Sequence, residues 1–281
     1  MATRTAWRRS GRSTRHAGRR AANSTAVRVL GRAGLAARGV LYIIIGWIAV
    51  EVAFGHSRRQ ADQTGALHIL AATPVGGVLL WLLAIGFIGM TVWRLSEAVY
   101  GAPGADGRKA TSRPAALGKA VVAGVIAYGV LTFALGAGKH QSSNTESVDV
   151  TATLMRHSGG RILVAVIGLA FIVGGLVVAY RAWRRQFLRE LAVGQLRTGA
   201  RRFVTWLGEF GGIARGMVFI TVGVFLVVAA ADAQPGEAKG LDSSLRALAA
   251  TPLGPWLLVL IALGLIMFGL FSCCQAKWQR L

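Results

Sequence analysis

The chain has 281 residues, 54% of them apolar, with 37 glycines besides and a mean hydropathy of +0.53. That exceeds a soluble domain, whose apolar share reaches about half only when glycine is counted. Thirty-two Lys and Arg against 11 Asp and Glu leave a formal charge of +21, which calls for phospholipid headgroups or nucleic acid as partner, and the adjacent pair Cys273 and Cys274 excludes a disulfide framework.

The first 30 residues carry eight arginines and no acid. They are expected to be a disordered cytoplasmic tail tethered to an anionic leaflet, each basic residue there contributing up to about 1 kcal/mol. The tail has no apolar h-region and no small-residue cleavage site, so the first hydrophobic segment is expected to act as an uncleaved signal anchor. Arg8 and Arg9 stand too far from that segment for a twin-arginine signal. Phosphate contacts are sequence-independent, but no nucleic-acid-binding module and no aromatic beyond Trp7 accompanies the arginines, and nucleic acid is the disfavoured partner.

Crossing a hydrocarbon core about 30 Å thick takes roughly 20 apolar helical residues. Six segments qualify, approximately Ala37 to Phe54, Gly77 to Trp93, Lys119 to Gly138, Ile162 to Tyr180, Gly212 to Ala231 and Pro255 to Gln275. Lys and Arg number 25 in the alternate flanks that include both termini and 7 in the three remaining loops. The positive-inside rule therefore predicts cytoplasmic termini. Trp81 and Trp256 at outer ends, and Trp93, Trp183, Trp206 and Trp278 at inner ones, are expected to form the aromatic belt.

GRAGLAARGVLYIIIG from Gly31 recurs as GEFGGIARGMVFITVG from Gly208, an offset of 177, and AATPVGG from Ala71 recurs as AATPLGP from Ala249, an offset of 178. A weaker middle copy from Gly118 sets Tyr128 opposite Tyr42 and the Gly159 to Gly160 pair opposite Gly76 to Gly77, with Gly124 where the others have Arg38 and Arg215. The chain thus reads as a basic tail (1–30) and three two-span repeats, 31–101, a degenerate 118–187, and 208–281. An even number of spans per unit makes the repeats parallel, and a pseudo-threefold all-α bundle is the natural packing. Gly39 and Gly46, repeated as Gly216 and Gly223, and the Gly212–Gly216 pair suit close helix contact in lipid.

The GRAGLAARGVLY opening, the AATPxG element and their triplication resemble the bacterial membrane family catalogued as domain of unknown function 1206, over essentially residues 31–281. The family's ARG triplet and P-x-G step match Ala37 to Gly39, Ala214 to Gly216, Pro74 to Gly76 and Pro252 to Gly254. The resemblance implies the paired-helix fold and a bacterial plasma membrane, and brings no established activity.

Ionisable residues at mid-bilayer are costly and mark function; only Glu51 lies inside a span, about one turn from its outer end, where it can hold a cation or reach the interface. Arg38 and Arg215, at the inner starts of repeated spans, are expected either to hold a lipid phosphate through a bidentate guanidinium or to anchor topology. Tyr42, Tyr128 and Phe219, four residues further on, read as packing aromatics. His56, His68, His140 and His157 share the outer loops with Asp62, Asp149 and Asp242, but without metal-ligand spacing; the aspartates are expected to cap short helices, with Leu245 and Leu248 facing the bundle. Residues 184–206 read as a basic interfacial helix with Phe187 and Leu191 on its apolar face. Nucleophile elbow, P-loop and HExxH motifs are absent.

The expectation is a non-enzymatic membrane protein without cofactor, an accessory or scaffold component contacting anionic lipid and other membrane proteins. The alternatives are a channel or facilitator along the bundle axis, and a membrane enzyme or metal site at the outer loops.

Overall fold

The computed structural model describes residues 25–55, 60–100, 112–136, 143–157, 159–189, 191, 198–234, 239, 241–249 and 254–278. Among them the regular elements are α1 Thr25–Ala53, α2 Gln63–Ala71, α3 Gly76–Tyr100, α4 Ser112–Ala134, α5 Ser143–Met155, α6 Gly160–Trp183, a 3-10 turn Gln186–Arg189, α7 Thr198–Ala231, α8 Leu241–Ala249 and α9 Gly254–Trp278. No β-strand occurs among the described residues. The six helices α1, α3, α4, α6, α7 and α9 are long and apolar enough to cross a bilayer. The chain is therefore an all-helical, multi-pass membrane protein.

The helices outrun the apolar segments that define them. Thr25 to Leu30, expected in the disordered tail, form the first turns of α1, and α3 continues past Trp93 to Tyr100. Extending an existing helix costs far less than nucleating one, so an apolar span carries polar residues along as extra turns. Residues 1–24 of the tail lie outside the described residues.

Each repeat is a span, a short helix and a second span. The short helix turns into that span at a glycine six residues after a leucine: Leu70 to Gly76, Leu154 to Gly160 and Leu248 to Gly254. A Cβ on Gly76 would meet the Leu70 carbonyl oxygen at 2.5 Å, and one on Gly160 would collide with the Leu154 carbonyl oxygen. Gly160 is therefore the structural counterpart of Gly76, and the expected pairing of Gly159 with Gly76 is off by one. Gly159 instead takes the left-handed conformation (φ 84°) just before α6, which glycine adopts without steric cost.

Two compact units emerge, residues 1–37 with 77–138 and 275–281, and residues 38–76 with 139–274. In the first, Leu35, Met90, Trp93 and Ala123 form a core joined by Ala276. Arg94 lies over the Trp93 ring at 4.0 Å and pairs with Glu97 at 2.7 Å. Trp93 is thus a core residue, buried with its arginine, and leaves the expected aromatic belt, whereas Trp81 is exposed.

In the second unit two antiparallel seams repeat one design. On α6 and α7, a Cβ at Gly216 would lie 2.7 Å from the Gly175 carbonyl oxygen and one at Gly223 2.7 Å from that of Gly168. On α1 and α9, a Cβ at Gly39 would lie 2.8 Å from the Gly269 carbonyl oxygen and one at Gly46 2.8 Å from that of Ala262. The glycines that recur in sequence thus do the same work twice, letting backbones touch where lipid removes the hydrophobic drive and leaves packing.

Candidate functional site

Arg38 and Arg215 are carried by those seam helices, each one residue before a contact glycine. Both converge on one ring. The Arg38 guanidinium carbon lies 5.2 Å from the Phe268 centroid and that of Arg215 4.9 Å. Arg215 also faces Phe219 at 5.0 Å and Tyr42 at 5.7 Å, and the Tyr42 ring meets Phe268 edge-on at 4.9 Å. The aromatics four residues after the two arginines, Tyr42 and Phe219, thus both close on Arg215.

The two distances to Phe268 place the guanidinium carbons within about 10 Å of each other. Like charges so spaced repel by roughly 2 kcal/mol at an effective dielectric of about 20. Ring faces attract each cation by roughly 0.5–2 kcal/mol, but they neutralise no charge. Among the described residues Arg215 has neither a carboxylate nor a hydrogen-bond acceptor, and its buried Nε–H points at no oxygen. Arg215 is half-buried, and cations taken out of water are ordinarily paired. The nearest acid along α7, Glu209, accepts from Arg185 Nε at 2.9 Å.

The remaining sequence candidates are dispersed. Glu51 sits near the end of α1 and accepts a 2.9 Å hydrogen bond from Trp47 Nε1. Tyr128 is 71% exposed on α4, so it does not pack as Tyr42 and Phe219 do. Pro74 is exposed, Gly76 and Gly254 are buried at helix starts, and Pro252 lies outside the described residues. So do His56 and His140; His68 is exposed, and His157 Nδ1 lies 3.0 Å from the Thr153 carbonyl oxygen. Among the described residues no three His, Cys, Asp or Glu side chains gather where a metal could bind.

The three aspartates have three different fates. Asp62 caps α2 as expected, accepting from the Gly65 amide at 2.8 Å. Asp149 lies inside α5, exposed, and caps nothing. Asp242 is inside the first turn of α8, where its Oδ1 accepts the distant Ala61 amide at 2.7 Å and Arg246 Nε reaches both oxygens at 3.1 and 2.9 Å. It clasps the hairpin of the first repeat to that of the third, instead of capping its own helix.

At the opposite end of α6 and α7 the expected long interfacial helix is broken. The chain turns at Arg185, whose φ is 53°, passes through Gln186–Arg189, and α7 starts only at Thr198. Phe187 meets Phe271 edge-on at 4.9 Å and Leu191 is buried, so the apolar residues face protein and not lipid. The exposed residues form a different surface: Tyr180, Trp183, Phe203, Trp206 and Phe210 among Arg181, Arg184, Arg201 and Arg202.

Sequence comparison finds the same threefold division. The family model described as Domain of Unknown Function (DUF1206) matches three times, over residues 33–101, 115–185 and 210–279. The chain belongs to the DUF1206 family. Within it, the protein named "Uncharacterized protein YxxB" from Bacillus subtilis (strain 168) is 30% identical over 259 residues, covering 91% of this chain and 92% of its own. No solved structure matches this DUF1206 chain. Phe268 is the component of the cluster that sequence reading missed: one phenylalanine in an apolar helix carries no signal, and only the arginines that meet on it single it out.

Proposed function

We propose that this DUF1206 protein is a non-enzymatic membrane component that gathers anionic phospholipid at the inner leaflet and offers that lipid-bearing helical surface to other membrane proteins. The observation that carries this reading is the collar at the ends of α6 and α7, where exposed Trp183, Trp206 and Tyr180 alternate with Arg181, Arg184, Arg201 and Arg202. Indole and phenol rings favour headgroup depth, and each arginine beside an anionic leaflet adds about 1 kcal/mol of attraction. Arg184 also lies 6.0 Å from the Tyr180 ring, which orders its headgroup-facing end. Cytoplasmic termini follow from the same excess of arginine.

Lipid copurifying with the full chain in mild detergent tests the reading. Phosphatidylglycerol and cardiolipin are expected to be enriched over phosphatidylethanolamine relative to the source membrane, with the enrichment falling in the quadruple R181Q/R184Q/R201Q/R202Q variant. Equal lipid composition in both proteins overturns it. Solute flux in proteoliposomes above an empty-vesicle control favours the channel alternative instead.

A further inference from the structure

We propose that Arg215, with Arg38, Tyr42, Phe219 and Phe268, forms a discrete binding site for one phosphate-type oxyanion, separate from the exposed collar. Two cations face a single buried ring, and Arg215 is supplied with no protein anion among the described residues. The surrounding rings fix where it can go. Phe268, Phe219 and Tyr42 lie within 5.7 Å of its guanidinium carbon and restrict its swing, so its planar fork is held ready for a bidentate oxyanion. Gly39 sets α1 against α9 at Gly269, and Gly211 sets α7 against α9 at Phe268, so the arginines of the first and third repeats meet on α9.

Depth selects the ligand. Arg215 lies nine residues beyond Trp206, about 13 Å along the helix. A phosphodiester drawn in from the headgroup layer reaches it with its acyl chains still in lipid, and a small inorganic oxyanion reaches it from the same side. A carboxylate fills the fork with both of its oxygens and leaves none for Arg38, whereas a phosphodiester still has its two ester oxygens and inorganic phosphate its remaining oxygens. The middle repeat has Gly124 in place of the arginine, so the expected stoichiometry is one anion per chain. The site shares with the collar only its side of the membrane, and either can fail without the other.

The test is native mass spectrometry of the full chain in detergent, titrated with dioleoyl phosphatidylglycerol, with dioleoylglycerol as the phosphate-free control, and separately with inorganic phosphate. One phosphatidylglycerol per chain is expected to survive gentle activation, with dioleoylglycerol not retained. R215Q should weaken retention at least about 10-fold, and R215K, which keeps the charge but loses the fork, about 3-fold or more. The R181Q/R184Q variant should leave this single occupancy unchanged. Binding of inorganic phosphate alone, abolished in R215Q, also supports the site and assigns a free oxyanion as its source. Wild-type retention in a folded R215K or R215Q protein overturns the proposal, as does the binding of neither probe.

Discussion

A methyl group added at Gly175 would meet the Gly216 carbonyl oxygen at 2.6 Å and Ile220 Cγ1 at 2.8 Å, whereas one added at its neighbour Gly174 would meet nothing within 4 Å. G175A should therefore spread the α6–α7 seam and destabilise the protein by about 1–3 kcal/mol, the usual range for overpacking. G174A should be neutral or slightly stabilising, since alanine is the better helix former. Unfolding of each variant in mixed micelles measures the pair, and equal stabilities would remove the seam as a source of specificity. This contact was half legible in the sequence. The recurrence of Gly39 and Gly46 as Gly216 and Gly223 exposed one side of each seam, because a repeat preserves spacing. The partner side recurs at an offset of 94, the one that relates Gly160 to Gly254, with Gly175 answering to Gly269 and Gly168 to Ala262; the offset of 177, which relates the first repeat to the third, does not reach it. Arg38 and Arg215 were legible for the same reason as the first set, whereas Phe268 stands opposite Gly174 at the offset of 94 and no recurrence announces it.

Among the short helices, position in sequence gave the right residues and the wrong partners. All three aspartates read as caps, since a carboxylate at a helix start satisfies amide groups, yet Asp149 lies in the middle of α5 and only Asp62 caps locally. Asp242 spends its carboxylate on Ala61, 181 residues away, and on Arg246. Capping is a local rule, and a long-range amide competing for the same oxygen is invisible to it. D242A should strand the buried Ala61 amide and release Arg246, destabilising the fold by about 2–4 kcal/mol, since hydrogen bonds to charged groups are worth roughly 1.5–3 kcal/mol each. D242N keeps an acceptor for Ala61 and should lose about half as much. Hydrogen exchange at the Ala61 amide checks the assignment, because D242A should speed its exchange while leaving amides in the middle of α6 unchanged. The broken segment after α6 teaches the same lesson. Phe187 and Leu191 read as the apolar face of one interfacial helix, but that helix is broken, Phe187 meets Phe271 and Leu191 is buried in the protein interior.

The arrangement of charge along the whole chain carries the orientation. Six helices with 25 of 32 basic residues in alternate flanks form a pattern that single substitutions cannot invert, because topology follows the summed bias of the short loops. An alkaline phosphatase reporter is active only after export, where its disulfides form. Fused after Leu281 it should be inactive, and inserted between residues 137 and 142 it should be active. A green fluorescent reporter should give the reverse result at both places. The collar and the half-buried arginine cluster both depend on this outcome, since Arg181, Arg184, Arg201 and Arg202 meet anionic headgroups only on the cytoplasmic side. Neutralising those four arginines removes half of the eight basic residues between Arg181 and Arg215. The remaining excess still favours the same side, so the quadruple variant should lose lipid enrichment without flipping. Active phosphatase at Leu281 in the wild-type chain would place the arginines against the outer leaflet and remove the electrostatic basis of both readings together.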